Sequence, residues 1–178
     1  MKIFIIGYMA AGKTTFGKAL AEKLNTTFID LDQYIEEKSE SSISTLFATK
    51  GESTFREIEN EMLKKAVEET PDAVIACGGG TPCYHDHMEF MNKTGLTIFI
   101  ETSTPVLISR LQLQNAQRPI VAGKTNDEIR ETVLTQLCDR LPYYMEAKLK
   151  WHGDDLENKQ EIESNVENFV SSYPSVFR

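Results

Sequence analysis

The stretch Gly7-Tyr8-Met9-Ala10-Ala11-Gly12-Lys13-Thr14-Thr15 constrains this chain more than any other. It carries the spacing G-x-x-x-x-G-K-[ST], and its surroundings give that spacing meaning. The apolar run Ile3-Phe4-Ile5-Ile6 precedes it and reads as a short buried strand, while Phe16, Leu20 and Leu24 follow at helical spacing. Strand, glycine loop and helix in that order describe a phosphate-binding loop. Such a loop offers an anion backbone N–H groups and the positive end of a helix. Gly7 and Gly12 permit turns that a Cβ obstructs. Lys13 is placed to reach outer phosphates as a point charge, and the Thr14 hydroxyl can ligate Mg²⁺. The plainer alternative is an ordinary strand-to-helix turn.

The rest of the composition narrows the class. The 178 residues suit one domain, 1–178, with a normal core, and no interior linker divides them. A net charge of −8 leaves no general basic surface, so no nucleic-acid partner is expected. Cys77, Cys83 and Cys138 lack metal spacing, and their odd number points to reduced thiols in the cytoplasm. The apolar run at the N-terminus is too short for a membrane helix or a signal peptide, so no membrane association is expected.

Along the chain, strands and helices alternate. Phe28-Ile29 reads as a second strand with Asp30 and Asp32 at its carboxyl end. Residues two apart in an extended chain share a side, so both carboxylates are expected to face one cleft; capping of the next helix is the alternative. Residues 33–38 and 43–48 look helical, and Gly51 ends that region. Thr54 is expected to cap a further helix, in which Phe55, Ile58, Met62 and Ala66 form an apolar stripe, with Leu63 and Val67 beside it. Arg56 and Glu59 can pair at i,i+3, as a surface ion pair or as part of a site.

Ala73–Cys77 reads as a third, buried strand running into Gly78-Gly79-Gly80, where a ligand could approach backbone closely; a flexible turn is the alternative. His85-Asp86-His87 reads as solvated surface rather than a metal site. A fourth strand covers 96–101, and Ser103 or Thr104 starts a helix. The polar stretch around Gln112 to Lys124, with Arg118, looks like a mobile lid or else a plain surface loop. Asn126 or Asp127 starts another helix with Ile129, Val133, Leu134 and Leu137 on one face. Arg140 near its end either complements the helix dipole or clamps an anion. Residues 149–151 are a candidate last strand, and 159–169 a closing helix. This pattern gives an α/β fold with a parallel sheet of about five strands.

Taken together, these motifs resemble the shikimate kinases. The resemblance covers Lys2 to about Tyr144 and rests on the loop Gly7-x4-Gly12-Lys13-Thr14-Thr15, Asp30-Leu31-Asp32, Phe55-Arg56-x2-Glu59, Gly78-Gly79-Gly80, Arg118-Pro119 and Arg140-x-Pro142-x-Tyr144. It implies a three-layer P-loop kinase fold of the nucleoside-monophosphate-kinase type, with a five-stranded parallel sheet in the order 2-3-1-4-5, flanking helices and a mobile lid at about 112–124. It implies substrate-binding helices within about 33–62. It implies transfer of the γ-phosphate of ATP to the 3-hydroxyl of shikimate, with Mg²⁺, in the pathway to chorismate and the aromatic amino acids.

By the same resemblance, Ala10, Ala11, Gly12, Lys13, Thr14 and Thr15 hold phosphates, and Arg110 lies near adenine. Thr14 and Asp30 serve the metal. Asp32 meets the acceptor hydroxyls as base or orienting group. Arg56 and Arg140 clamp the acceptor carboxylate, joined by Gly78, Gly79 and Gly80, and Glu59 holds Arg56 in place. Arg118 reaches the transferred phosphate. Two departures are the glutamine-rich 112–117 and the stretch Trp151 to Asp155, which does not match the family's adenine loop. A monomer is expected. Two rivals remain: another small-molecule kinase of the gluconate kinase type, and a nucleotide-binding module without turnover.

Overall fold

The chain forms five short strands: β1 (Lys2–Ile6), β2 (Thr27–Asp30), β3 (Ala73–Ala76), β4 (Leu96–Glu101) and β5 (Leu149–His152). The structure is a computed structural model and describes residues 1–113 and 123–177. The sheet is wholly parallel, in the order β2-β3-β1-β4-β5. A parallel sheet needs crossovers that cover both faces, so its inner strands are apolar throughout rather than alternating. β3 is buried at every position, and β1 from Ile3 to Ile6. Pairing of Ile5 with both Ala76 and Ile98 aligns the carboxyl ends of β3, β1 and β4 along one edge. Ligands bind at that edge in open parallel sheets.

Helices α1 (Lys13–Lys23), α2 (Leu31–Ser39), α3 (Ile43–Glu69), α4 (His87–Thr94), α5 (Thr104–Leu113), α6 (Asn126–Tyr144) and α7 (Lys159–Ser172) flank the sheet. Phe16 of α1 meets Phe169 of α7 edge to face at 5.3 Å, and both are fully buried. Each such side chain contributes about 1.5–3 kcal/mol of burial. Among the described residues, no helix is long and apolar enough to cross a membrane.

Several local expectations change. The helix around 43–69 is continuous except at Gly51 (φ 78°, ψ 167°), where it kinks. Gly51, not Thr54, therefore marks the start of the second segment, because only glycine takes that backbone geometry cheaply. α6 is capped by Thr125, which accepts from Glu128 N–H while the Glu128 side chain returns to Thr125 N–H. Leu134 is 49 % exposed and does not share the buried face of Ile129 and Val133. His87 is fully buried, against the expectation of solvated surface. Its Nδ1 lies 2.7 Å from the Thr81 carbonyl and its Nε2 3.2 Å from Asn60 Oδ1, so it is a structural histidine between α3 and α4.

Candidate active site

The glycine loop leaves β1 and enters α1 at Lys13. Gly12 caps the helix at φ 97°, and a Cβ there would stand 2.6 Å from Leu156 Cδ1. The left-handed backbone therefore requires glycine, and a Cβ would in addition push the tip of Leu156 aside. The loop is tied down through its carbonyls. Tyr8 O accepts from Lys13 Nζ at 2.8 Å and from Ala11 N–H at 3.2 Å. Ala11 is buried, and its carbonyl accepts from the Thr102 hydroxyl at 2.9 Å. Arg110 Nη1 donates to Ala10 O at 3.3 Å and to Gly153 O at 3.0 Å, and its Nη2 donates to Asp154 O at 2.9 Å. Arg110 thus binds α5, the loop and the segment after β5 into one wall.

That wall borders a cleft of about 530 Å³ over the carboxyl ends of the strands. Ala10, Gly12, Lys13, Thr14, Thr15, Asp30, Asp32, Gly78, Gly79 and Arg110 line it together. Residues separated by a hundred positions in the chain meet there. Arg118 and most of the expected lid, residues 114–122, lie outside the described residues.

The two aspartates reach the cleft by a different route from the expected one. β2 ends at Asp30 and α2 begins at Leu31, so the pair straddles a strand-to-helix junction rather than lying two apart on an extended strand. Asp30 caps α2, accepting from Gln33 N–H at 3.4 Å through Oδ1, and its Oδ2 accepts from the Thr14 hydroxyl at 2.8 Å. Asp32 sits in the first turn of α2, where its charge meets the positive helix end. Its residue is open to the cleft, yet protein crowds the carboxyl on its other sides. That crowding, then the Asp30 charge, push its pKa up to about 6, with Lys13 opposing. A carboxylate tuned toward neutrality beside a phosphate loop is suited to proton transfer.

Gly78, Gly79 and Gly80 are the hinge of the site's second half. A Cβ on Gly78 would meet Asp32 Oδ1 at 2.7 Å, one on Gly79 would meet Arg140 Nη1 and Met9 N at 3.3 Å, and one on Gly80 would meet Arg56 Nη2 at 2.8 Å. Each glycine makes room for one charged side chain. The close approach, rather than flexibility, explains the tripeptide.

Arg56 is 11 % exposed at its side chain. Its Nη1 donates to Glu59 at 2.9 Å, and Glu59 in turn accepts from the buried Thr81 hydroxyl at 2.6 Å. The guanidinium carbon stands 4.1 Å from the Tyr84 ring centroid and 5.3 Å from that of Phe55. This is not a loose surface ion pair. Burial works against the Arg56 charge, but Glu59 and Glu52 outweigh it and hold its pKa above the usual value. Arg140 lies over the Tyr8 ring at 5.6 Å. Burial pushes the Tyr8 hydroxyl up to about 12, against the Arg140 charge, so Tyr8 stays neutral and donates to Gln136 Oε1 at 2.9 Å. Tyr144 donates to Gly79 O at 2.5 Å and fixes the tripeptide from below.

The comparisons with known proteins follow this geometry. The family model described as shikimate kinase matches residues 9–171. A shikimate kinase from Bacteroides thetaiotaomicron is 47 % identical over 167 residues, which is 94 % of this chain and 95 % of that protein. This chain belongs to the shikimate kinase family. Among solved members, the 1.7 Å crystal structure of the shikimate kinase from Bacteroides thetaiotaomicron superposes with a TM-score of 0.93 at 45 % identity, covering 98 % of both chains. The shikimate kinase from Acinetobacter baumannii in complex with shikimate superposes with a TM-score of 0.81 at 26 % identity, covering 98 % of this chain and 93 % of that one.

Some residues of this shikimate kinase site were not singled out from sequence. Glu52 is four residues before Arg56, so helical spacing alone was enough to suggest it. Tyr84 and Tyr8 gave no such signal, because a ring packed under a guanidinium leaves no periodic trace.

Proposed function

We propose that this chain transfers the γ-phosphate of ATP to the 3-hydroxyl of shikimate, giving shikimate 3-phosphate and ADP, in the route to chorismate. The observation that supports this reading is the glycine tripeptide of a shikimate kinase family member, which packs against Asp32, Arg140 and Arg56 in turn, while Gly78 and Gly79 line the cleft that Asp32 and the phosphate loop share. A paired guanidinium fork matches a carboxylate, which nucleoside monophosphates lack. The whole chain, 1–178, acts as one domain of this kind.

Residues 10–15 hold the phosphates, with Lys13 at the β/γ oxygens. Thr14 Oγ1 and the Asp30 carboxylate, 2.8 Å apart, are hard oxygen donors of the kind Mg²⁺ takes. Among the described residues, no group of three or more His, Cys, Asp or Glu could hold a metal alone. That fits Mg²⁺, which keeps phosphate and water ligands and needs only one or two from protein. When bound it would neutralise phosphate charge. Arg56, Arg140 and the backbone at Gly78 to Gly80 hold the acceptor's carboxylate end.

Asp32 faces the 3-hydroxyl. The hydroxyl oxygen forms its bond to the γ-phosphorus, the bond to the β-phosphate oxygen breaks, and the hydroxyl proton passes to Asp32. Positioning and charge neutralisation carry most of the rate in such transfers. Arg118 serves the transferred phosphate. A monomer is the expected working unit, and the odd cysteine count supports a cytoplasmic setting.

The test is ADP release from MgATP with shikimate, set against gluconate and nucleoside monophosphates. Turnover with shikimate alone is expected. Preference for another acceptor, or nucleotide binding without ADP release, overturns the assignment.

The tripeptide gives a further expected outcome. Gly80 has an ordinary helical backbone (φ −91°, ψ −19°), so Gly80→Ala tests contact rather than backbone strain. The new Cβ displaces the Arg56 guanidinium from its fixed place. KM for shikimate is expected to rise about tenfold, the loss of one charge-assisted hydrogen bond. Nucleotide Kd is expected to stay within twofold of its starting value. Steady-state kinetics and calorimetry measure the two, and an unchanged KM would remove Arg56 from the acceptor site.

A further inference from the structure

The acceptor end of the site holds a carboxylate that none of these roles uses. Glu52 stands one residue past the kink at Gly51 and four before Arg56. Its Oε1 accepts from Arg56 Nη2 at 3.1 Å and from the Tyr84 hydroxyl at 3.1 Å. Hydrogen bonds from Arg56 and then Tyr84 hold its pKa below the usual carboxylate value, and the charge of Arg140 adds to this. One protein carboxylate therefore stands in the field of both cations assigned to the substrate carboxylate.

The two glutamates on Arg56 differ in kind. Glu59 is 1 % exposed at its side chain and is anchored by Thr81. It cannot leave without stranding a buried charge. Glu52 is 57 % exposed at its side chain and lies on the solvent side, so release costs it little. Both terminal nitrogens of Arg56 are already engaged, Nη1 by Glu59 and Nη2 by Glu52. Its Nε–H is buried and has no partner among the described residues, and Tyr84 covers a face of the guanidinium.

We infer that Glu52 stands in for the substrate carboxylate: it holds Arg56 Nη2 in the free enzyme, and the ring carboxylate of the acceptor displaces it. This rests on the reading that Arg56 and Arg140 grip a carboxylate-bearing acceptor. The exchange swaps one anion for another, so Arg56 Nη2 is never left without an acceptor in a half-dry site. A neutral acceptor could break the Glu52 contact without replacing it. Internal competition therefore lowers affinity for every acceptor and penalises uncharged ones most.

The experiment is steady-state kinetics of Glu52→Gln and Glu52→Ala with shikimate and MgATP. KM for shikimate is expected to fall about fivefold, the upper range for one exposed ion pair, with kcat within twofold. Tyr84→Phe keeps the ring under Arg56 but removes one hydrogen bond to Glu52, so KM is expected to fall in that variant as well. Glu57→Gln, an exposed acid on the same helix, controls for general charge. A residue that merely braced Arg56 would raise KM when removed, the opposite sign.

An unchanged or raised KM in both Glu52 variants overturns the inference. So does an equal fall in Glu57→Gln, which would show a diffuse charge effect. The wild-type enzyme in the same assay keeps the two readings apart. Wild-type turnover with no fall in KM removes the role of Glu52 alone, whereas absent wild-type turnover removes the acceptor assignment and this inference with it.

Discussion

Replacing Lys13 with alanine is expected to lower kcat about 10³-fold, the upper range for removing one preorganised donor from a transition state. The ammonium is aimed by the loop itself, with Nζ 2.8 Å from the Tyr8 carbonyl at the start of α1. No solvent cation can take its place at that geometry, because phosphoryl transfer depends on charges fixed beforehand. The fold is expected to persist, since Lys13 is only half-buried and outside the apolar core. The loss to stability is about 1 kcal/mol for one hydrogen bond. Turnover with MgATP and shikimate, with thermal melting as the companion measurement, checks both halves. Near-normal turnover in Lys13→Ala would mean that the loop does not act on phosphate.

The second large effect belongs to Asp32. Asp32→Asn keeps size and hydrogen-bonding capacity but removes charge and basicity. A fall in kcat of about 10²-fold or more is expected, the lower range for general acid–base catalysis, with ATP binding near normal. Two readouts separate Asp32 from Asp30. Added Mg²⁺ is expected to rescue Asp30→Asn in part, because Asp30 sits against Thr14, and to leave Asp32→Asn unmoved. The pH profile is the other. With the Asp32 pKa pushed up to about 6, kcat/KM of the wild-type enzyme is expected to fall as pH drops below about 6, and that limb is expected to vanish in Asp32→Asn.

Stability should follow the opposite sign. A carboxyl whose folded pKa lies above its ordinary 3.8 binds its proton more tightly when folded, so the native state loses stability as pH rises from about 4 to 6. Asp32→Asn is therefore expected to melt higher than wild type at pH 8 and no higher at pH 4. Equal rescue of both variants by Mg²⁺ would mean that the two carboxylates have been assigned the wrong way round.

How far the sequence carried this picture depends on what each feature needs. The phosphate loop was legible because its chemistry is backbone chemistry, and glycine spacing reports backbone directly. The parallel α/β sheet follows from buried runs alternating with helical ones, as in Ala73–Ala76 and Leu96–Glu101, whereas its strand order was implied only by the family resemblance. Asp30 and Asp32 were identified correctly as a pair on the cleft but for the wrong geometric reason. The helix starts between them, and a local pattern of two residues cannot distinguish a strand's last turn from a helix's first.

Arg56 was ambiguous in sequence because burial is a tertiary fact. Only the packing of Tyr84, Phe55 and Glu59 around it excludes a surface ion pair. His87 misled for the same reason: its partners, Thr81 and Asn60, come from other segments, and polar neighbours in sequence said nothing about them.

The tripeptide at the end of β3 has a consequence for how this gene can change. Gly78, Gly79 and Gly80 each face a different side chain, Asp32, Arg140 and Arg56 respectively. They form a reading frame between chain and pocket, with one vacancy per letter. A one-residue deletion or insertion between Ala76 and Gly78 would slide every vacancy one step and bring a Cβ-bearing neighbour into the row. Base, carboxylate clamp and loop contact would then be disturbed in a single event, although no charged residue had been altered. Length at this point is expected to be held as strictly as the three glycines themselves, and libraries that vary it should yield no survivors.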